Sequence, residues 1–362
     1  MKRHNRLKKH TLGLAAALLV TAGMSQIALA GDSVYVNTSS LRYRTSAQIK
    51  DNNIAGNLSY GQKLERVGTS GQWTMILLNG KKYYVSSAYV TSKKPASAGA
   101  VQTTSQTAAG AQTSGGTAIA LSSNYKYANY SKINSGTATL YRSTASNKKN
   151  KVVCVNAGHG TNGGGSVKTQ CHPDGSAKVT GGTTGAGATS AVAVSSGMTF
   201  ADGTAESKVT LAMAKVLKTK LLNAGYDVLM IRESDDVQLD NIARTVIANN
   251  NADCHIALHW DSTSSNKGAF FMSVPSNATY RAMEPVASHW KQHNQLGESL
   301  ISGLKSAGVK IYSKGSMEMD LTQTSYSTIP SVDIELGDKA SDHSGATLET
   351  LANGLLAGVN TF

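Results

Sequence analysis

The chain has 362 residues, 40% of them hydrophobic and 16% charged, which is room for more than one cored domain. Lysine and arginine number 35 against 22 aspartates and glutamates, a net charge of +13 that favours anionic partners. No basic helix, zinc-finger spacing or aromatic RNA-binding signature accompanies that charge, which excludes nucleic acid.

The N-terminus reads as a secretory signal over residues 1–30. Lys2, Arg3, Arg6, Lys8 and Lys9 precede an apolar core from Leu12 to Met24, and Ala28-Leu29-Ala30 is a small-residue cleavage pattern. The core is shorter than the roughly 20 residues of a bilayer span. The expectation is an exported chain with no transmembrane segment after signal removal. Taking the 5 basic residues of the signal from 35 leaves 30 against 22 acids, so the mature net charge is +8 and an anionic cell envelope fits it. Cys154, Cys171 and Cys254 are odd in number and contain no Cys-x-x-Cys; Cys154 and Cys254, in strand-like apolar runs, are read as buried thiols, Cys171 lies in a polar, Gly-rich stretch, and a single disulfide is the alternative.

Residues 31–92 read as a small all-β barrel. Short runs rich in β-formers (Val34–Val36, Leu41–Arg44, Lys63–Val67, Trp73–Leu77, Tyr83–Val85) are separated by turn residues, and Asn79-Gly80 is a hairpin signal. The order Leu41-Arg42-Tyr43-Arg44, Gly61, Trp73 and Tyr89-Val90 resembles the bacterial SH3-like (SH3b) repeat, which implies cell-wall binding. Trp73 and Tyr83 either stack on a ligand or belong to the core. Residues 93–123 are Ala, Ser, Thr, Gly and Gln with few large apolar residues, a composition that predicts a flexible tether. The second domain is placed at 124–362 with its core at 151–362; Asn124–Asn150 is not placed, its Tyr125, Tyr127, Tyr130, Leu140 and Tyr141 making either a stray strand or packing on the core that follows.

In the core, Val152–Ala157 is an apolar run of strand length that ends in Gly158-His159-Gly160. A long Gly-, Ser- and Thr-rich stretch, 161–204, follows. Glu206 then opens a helix in which Val209, Met213, Val216, Leu217 and Leu221 repeat at helical spacing up to Gly225. Strands are expected at 226–231, 254–258, 309–312 and 331–334, and helices at 239–250, 280–307 and from Leu348. This alternation predicts an α/β fold, a mostly parallel sheet with helices on both faces.

His159, His259 and Glu335 each follow a buried strand, and Glu206 opens the helix after the first. The C-terminal edge of a parallel sheet is where such residues converge. Two His and one Glu around zinc, with water in the fourth position, is an established catalytic ligand set, and one carboxylate, Glu335, is left for proton transfer. His289 and His293 have a metal-like i, i+4 spacing but an exposed-helix setting. His255 and His259 are about 13 Å apart on a strand, too far for one ion. His172 lies in the long stretch and comes near the site; Arg232 and Arg244 are read as making structural ion pairs; Asp261 either orients a ligand or caps a turn.

Asn156-Ala157-Gly158-His159-Gly160, the helix opening at Glu206, Gly225 to Arg232, Arg244 to His259 and Asp333-Ile334-Glu335-Leu336-Gly337 together resemble the zinc-dependent N-acetylmuramoyl-L-alanine amidases of bacterial cell walls, autolysins among them. The resemblance covers residue 151 to the C-terminus. It implies that His159, Glu206 and His259 hold Zn2+ and that Glu335 is the catalytic acid/base. It also implies cleavage of the amide joining the muramic acid lactyl group of peptidoglycan to L-alanine, by a secreted, wall-associated enzyme. The chain departs from the pattern in three places: the long 161–204 stretch, which reads as a lid or flap; Trp260-Asp261 after His259, where a small residue and Asn are usual; and Gly337-Asp338 in place of Gly-Phe. The alternatives are a zinc peptidase acting on stem or cross-link peptides and a non-catalytic wall-binding protein.

Overall fold

The computed structural model describes residues 32–37, 40–48, 53–59, 61–94 and 115–362. The expected signal and tether residues 95–114 lie outside them. The chain divides into two compact units, Met1–Thr107 and Ala108–Phe362.

The first unit contains β1 (Asp32–Val36), β2 (Ser40–Arg44), β3 (Ile54–Ser59), β4 (Lys63–Ser70), β5 (Trp73–Leu78), β6 (Lys81–Ser86) and β7 (Val90–Thr91). They form one antiparallel sheet in the order β3-β2-β6-β5-β4-β1-β7. Alternate residues such as Val34 and Val36, with Leu41, Leu64, Ile76 and Val85, fill its core. Leu78 pairs with Lys81 across the Asn79-Gly80 turn, as expected. Tyr83 packs edge-on against Tyr43 at 4.9 Å. β3 escapes the hydrophobic pattern because Gly56 and Asn57 interrupt it; the ladder to β2 holds it.

The second unit runs β8 (Thr117–Ala120), β9 (Thr137–Tyr141), β10 (Val152–Ala157), the ribbon β11 (Lys168–Gln170) and β12 (Ser190–Val192), α1 (Glu206–Asn223), β13 (Asp227–Met230), α2 (Asn241–Asn251), β14 (Cys254–Asp261), β15 (Ala269–Ser273), α3 (Ala278–Ala282), α4 (Val286–Ser306), β16 (Ile311–Glu318), α5 (Thr322–Tyr326), β17 (Ser331–Asp338) and α6 (Gly345–Thr361). Eight strands make the main sheet, ordered β16-β15-β17-β14-β10-β13-β9-β8. The central run β13-β10-β14-β17 is parallel, as the alternation predicts. The flanks depart from it: β9 runs antiparallel to β13, and β15 antiparallel to β17.

Period-two burial explains the two helical layers. Val153, Val155 and Ala157 of β10 pack with α1, α4 and α6 residues such as Leu217, Leu300 and Leu355. Cys154 faces the other way, with Leu229, Ala243 and Ile247. All three cysteines are buried free thiols.

Two expectations are corrected here. The tether does not run to 123, because Thr117–Ala120 is an edge strand hydrogen-bonded to β9. Its composition carries little signal because backbone bonding, with Ile119 half-buried, holds it in place. The helix expected over 280–307 is broken before Pro285, the N-cap of α4. The tyrosines of 125–130 cover α2 and α5, with Tyr127 and Tyr130 both 5.5 Å from Tyr326.

Candidate metal centre and active site

β10 ends at Ala157, and the chain turns through Gly158 into His159. His159 has φ +63°, a left-handed conformation uncommon for a residue with a side chain. Two buried arginines hold it there. Arg244 donates to the His159 carbonyl at 2.7 Å and to Asn156 Oδ1 at 3.1 Å; Arg232 donates to the carbonyls of Ala157 at 3.0 Å and Gly158 at 2.8 Å. Their role is structural, as expected, but the partners are carbonyls rather than carboxylates, since loop carbonyls at a strand end need donors. Gly158 is required by close approach: a Cβ there would lie 2.2 Å from His259 Cε1.

The fold brings three of the four expected residues into direct contact. His159 Nε2 lies 2.8 Å from Glu206 Oε1 and 3.0 Å from His259 Nδ1, and His259 Nδ1 lies 3.2 Å from Glu206 Oε1. All three side chains are largely buried. Glu206 sits in the first turn of α1; its Oε2 accepts from the Met198 amide at 2.8 Å and its Oε1 from the Trp260 amide at 3.0 Å. Burial alone raises the Glu206 carboxyl, but its bonds to His159 and His259 outweigh that and hold it well below the usual range.

Glu335 arrives beside this triangle by register, opposite His259 in the β14–β17 pair. It is buried, and its Oε2 has no hydrogen-bond partner among the described residues. Burial, with the nearby Asp333 carboxylate, pushes it well above the ordinary carboxylate range. Asp333 is two residues earlier on β17, hence on the same face, and its Oδ2 lies 3.6 Å from His259 Nε2. Burial lowers His259, yet Asp333, then Glu206 and Glu335, bring it up to about 10.

The donor chemistry fits a divalent cation. Two imidazole nitrogens and one carboxylate oxygen stand 2.8–3.2 Å apart. Ligands of one tetrahedral ion at about 2.0–2.1 Å stand roughly 3.3 Å apart. Three carboxylates gather here, and among the described residues no lysine or arginine forms a salt bridge with them.

The long 161–204 stretch forms one wall. Ser195, Ser196 and Met198 line a cleft of about 610 Å³ over the triad, facing Met272, Met319 and Thr322. The Ser195 carbonyl lies 2.9 Å from His159 Nδ1. The stretch is pinned by buried Asp320, which accepts from Lys178 Nζ at 3.0 Å, Val179 N at 2.7 Å and Thr180 N at 3.0 Å.

The rival histidines lie elsewhere. His172 is buried 3.0 Å from Asp320 Oδ2 and supports that pin. His293 is not on an exposed face: it is buried and accepts from the Ser331 amide at 3.0 Å, because α4 turns that side to the sheet. His289 bonds the Pro285 carbonyl. Asp261 serves the turn, accepting from Thr263 Oγ1 at 2.6 Å and pairing with Lys267. Asp333 and Ser195 were not expected as site residues. The alternation Asp333-Ile334-Glu335 places the aspartate on the glutamate's face; nothing in the sequence singles out Ser195, whose carbonyl and hydroxyl both reach His159 Nδ1, at 2.9 and 3.1 Å.

The profile of the N-acetylmuramoyl-L-alanine amidase family matches residues 153–354, more than half of the chain and a span that includes all four of these residues. The chain belongs to that family. It is a peptidoglycan amidase, a hydrolase of the bond between N-acetylmuramic acid and the L-alanine of the stem peptide. Among solved structures, the amidase is similar to the apo N-acetylmuramyl-L-alanine amidase Ami1 of Mycobacterium abscessus, at 19% identity and TM-score 0.46 over 59% of this chain and 98% of that one. It is also similar to Ami1 of Mycobacterium smegmatis, at 19% identity and TM-score 0.45 over 60% and 98%. A third is an amidase of Clostridium difficile 630, at 17% identity and TM-score 0.41 over 58% and 95%. No curated protein matches the chain. No helix among the described residues is long and apolar enough to cross a membrane.

Proposed function

We propose that this amidase is a zinc enzyme whose ion is held by His159 Nε2, Glu206 Oε1 and His259 Nδ1, with Glu335 as the catalytic acid/base. The observation that carries the reading is the triangle of donor atoms 2.8–3.2 Å on a side, set beside a buried glutamate with a free oxygen. Zinc bound by this donor set supplies Lewis acidity towards a carbonyl and lowers the pKa of water near it. Glu335 takes the proton released by the attacking water on its unpartnered Oε2 and delivers it to the leaving nitrogen. The amide C–N bond breaks, the water oxygen stays on the lactyl carbonyl, and L-alanine leaves with a free amine. The 161–204 wall seats the substrate across the cleft and limits bulk water at the triad.

The same reading covers the rest of the chain. Residues 1–30 export it; the N-terminal all-β unit is an SH3-like module that binds cell wall; the Ala-, Ser-, Thr-, Gly- and Gln-rich stretch from residue 93 up to β8 tethers the two. A bound module keeps the amidase at high local concentration on its substrate.

The deciding experiment is a digest of purified peptidoglycan with labelling of new amino termini. L-alanine at the new terminus is expected. A different residue would move the enzyme to the peptidases, and no new terminus from zinc-loaded protein would leave a binding protein.

A further inference from the structure

The two nitrogens of His259 face different partners. Nδ1 faces the other two donor atoms, 3.0 Å from His159 Nε2 and 3.2 Å from Glu206 Oε1. A metal-binding Nδ1 needs its lone pair, so the ring proton must sit on Nε2. Nε2 faces Asp333 Oδ2 at 3.6 Å. Asp333 is held there by strand register: it pairs with Ala257, two residues before the His259–Glu335 pair and so on the same face. Its Oδ1 is buried with no hydrogen-bond partner among the described residues. His259 is thus the group the Asp333 carboxylate faces, at the cost of leaving one buried acceptor oxygen unmade.

We propose that Asp333 is the positioning residue of the metal centre: its carboxylate holds the proton of His259 on Nε2 and so presents the Nδ1 lone pair to the ion. It approaches the ring at the nitrogen away from the donor triangle, so it acts through His259 rather than as a ligand. A carboxylate behind a metal-bound imidazole fixes the tautomer and strengthens the donor. The inference rests on His159, Glu206 and His259 being the ligands.

The test uses the full chain and three variants: Asp333→Asn, Asp333→Leu and, as control, His259→Ala. Zinc affinity is read by competition with a chromophoric chelator, folding by the melting temperature of the zinc-free forms, and ligand field by the visible spectrum of the cobalt-loaded forms. The zinc-free variants should keep a cooperative melt, so that weaker zinc binding is not a loss of fold. Both Asp333 variants should bind zinc about 10–100-fold more weakly. Their cobalt bands should shift while keeping the parent's intensity, which a merely structural role would not produce. If both bound zinc within twofold of the parent, the inference alone would fall. If Asp333→Asn lost zinc as completely as His259→Ala, Asp333 would itself be a ligand and the positioning role would be wrong. If His259→Ala bound zinc like the parent, the ligand reading would fall and the inference with it.

Discussion

The carbonyl of Ser195 and Nδ1 of His159 are 2.9 Å apart, so the end of the long 161–204 stretch fixes the tautomer of the histidine that β10 delivers. Three residues on, the Met198 amide holds Glu206 Oε2 at 2.8 Å. The stretch therefore supports the candidate metal centre as well as walling the cleft, and loading of that centre should depend on it.

Gly197 lies between those two contacts. A Cβ there would sit 2.8 Å from both Glu206 Oε2 and His159 Cδ2, and its φ of +80° disfavours any side chain. Gly197→Val should lower zinc occupancy after dialysis at least tenfold while leaving the far-ultraviolet circular dichroism unchanged. Full occupancy in this variant would show that the cradle is not needed.

Glu335→Gln should keep zinc and fold yet lose about 10²–10⁴ in turnover, the usual contribution of a positioned acid/base. Chelation should abolish activity of the parent, and zinc should restore it. Wall hydrolysis by Glu335→Gln at the parent rate would assign proton transfer to another group.

Asp320 carries the stretch's anchoring. Asp320→Ala leaves the Lys178 ammonium buried without its counter-charge, 3.0 Å from where the carboxylate stood. Breaking a buried pair in this way costs about 3–5 kcal/mol, to be read as a lower urea midpoint with new protease cleavage between 161 and 204. Burial raises the Asp320 carboxyl, but its bonds to His172, Thr180 and Val179 outweigh that and depress it. Its contribution is thus complete above the unfolded carboxyl range and lost as pH falls through the depressed folded value.

His255 and His293 are buried neutral, each lowered by burial to about 3. Unfolding takes up their protons between the unfolded value of about 6.5 and about 3, so stability rises with pH across that window and levels off above it. Each should add about 1.4 kcal/mol per pH unit in mid-window. Urea titrations of zinc-free protein at pH 5 and pH 7.5 should show it, and His293→Gln should reduce the slope; an unchanged slope would mean that His293 is already charged in the fold.

The parallel core was legible because it is written locally. Val152–Val155 is apolar at every position, as a strand buried on both faces requires, and His159 and Glu335 could be placed because they end or follow such runs. Glu206 was legible as the first residue of a periodic helix. The edge strands β8, β9 and β15 were not. β8 and β9 are held by ladder bonds that any backbone can make, and β15, Ala-Phe-Phe-Met-Ser, is too short for its apolar run to name its state.

The sequence by itself determined the family, the parallel sense of the central strands, and the positions of His159, His259 and Glu335 at strand ends and of Glu206 at a helix start, because apolar periodicity and strand-end chemistry are short-range properties. Tertiary structure alone decided what surrounds those four. Ser195 meets His159 across 36 residues, Arg244 meets the His159 carbonyl across 85, and Asp333 stands behind His259 through the register of two strands. Those partners are chosen by packing and by the need of buried carbonyls and ring nitrogens for something to bond. Such a requirement arises only once the chain has closed around them.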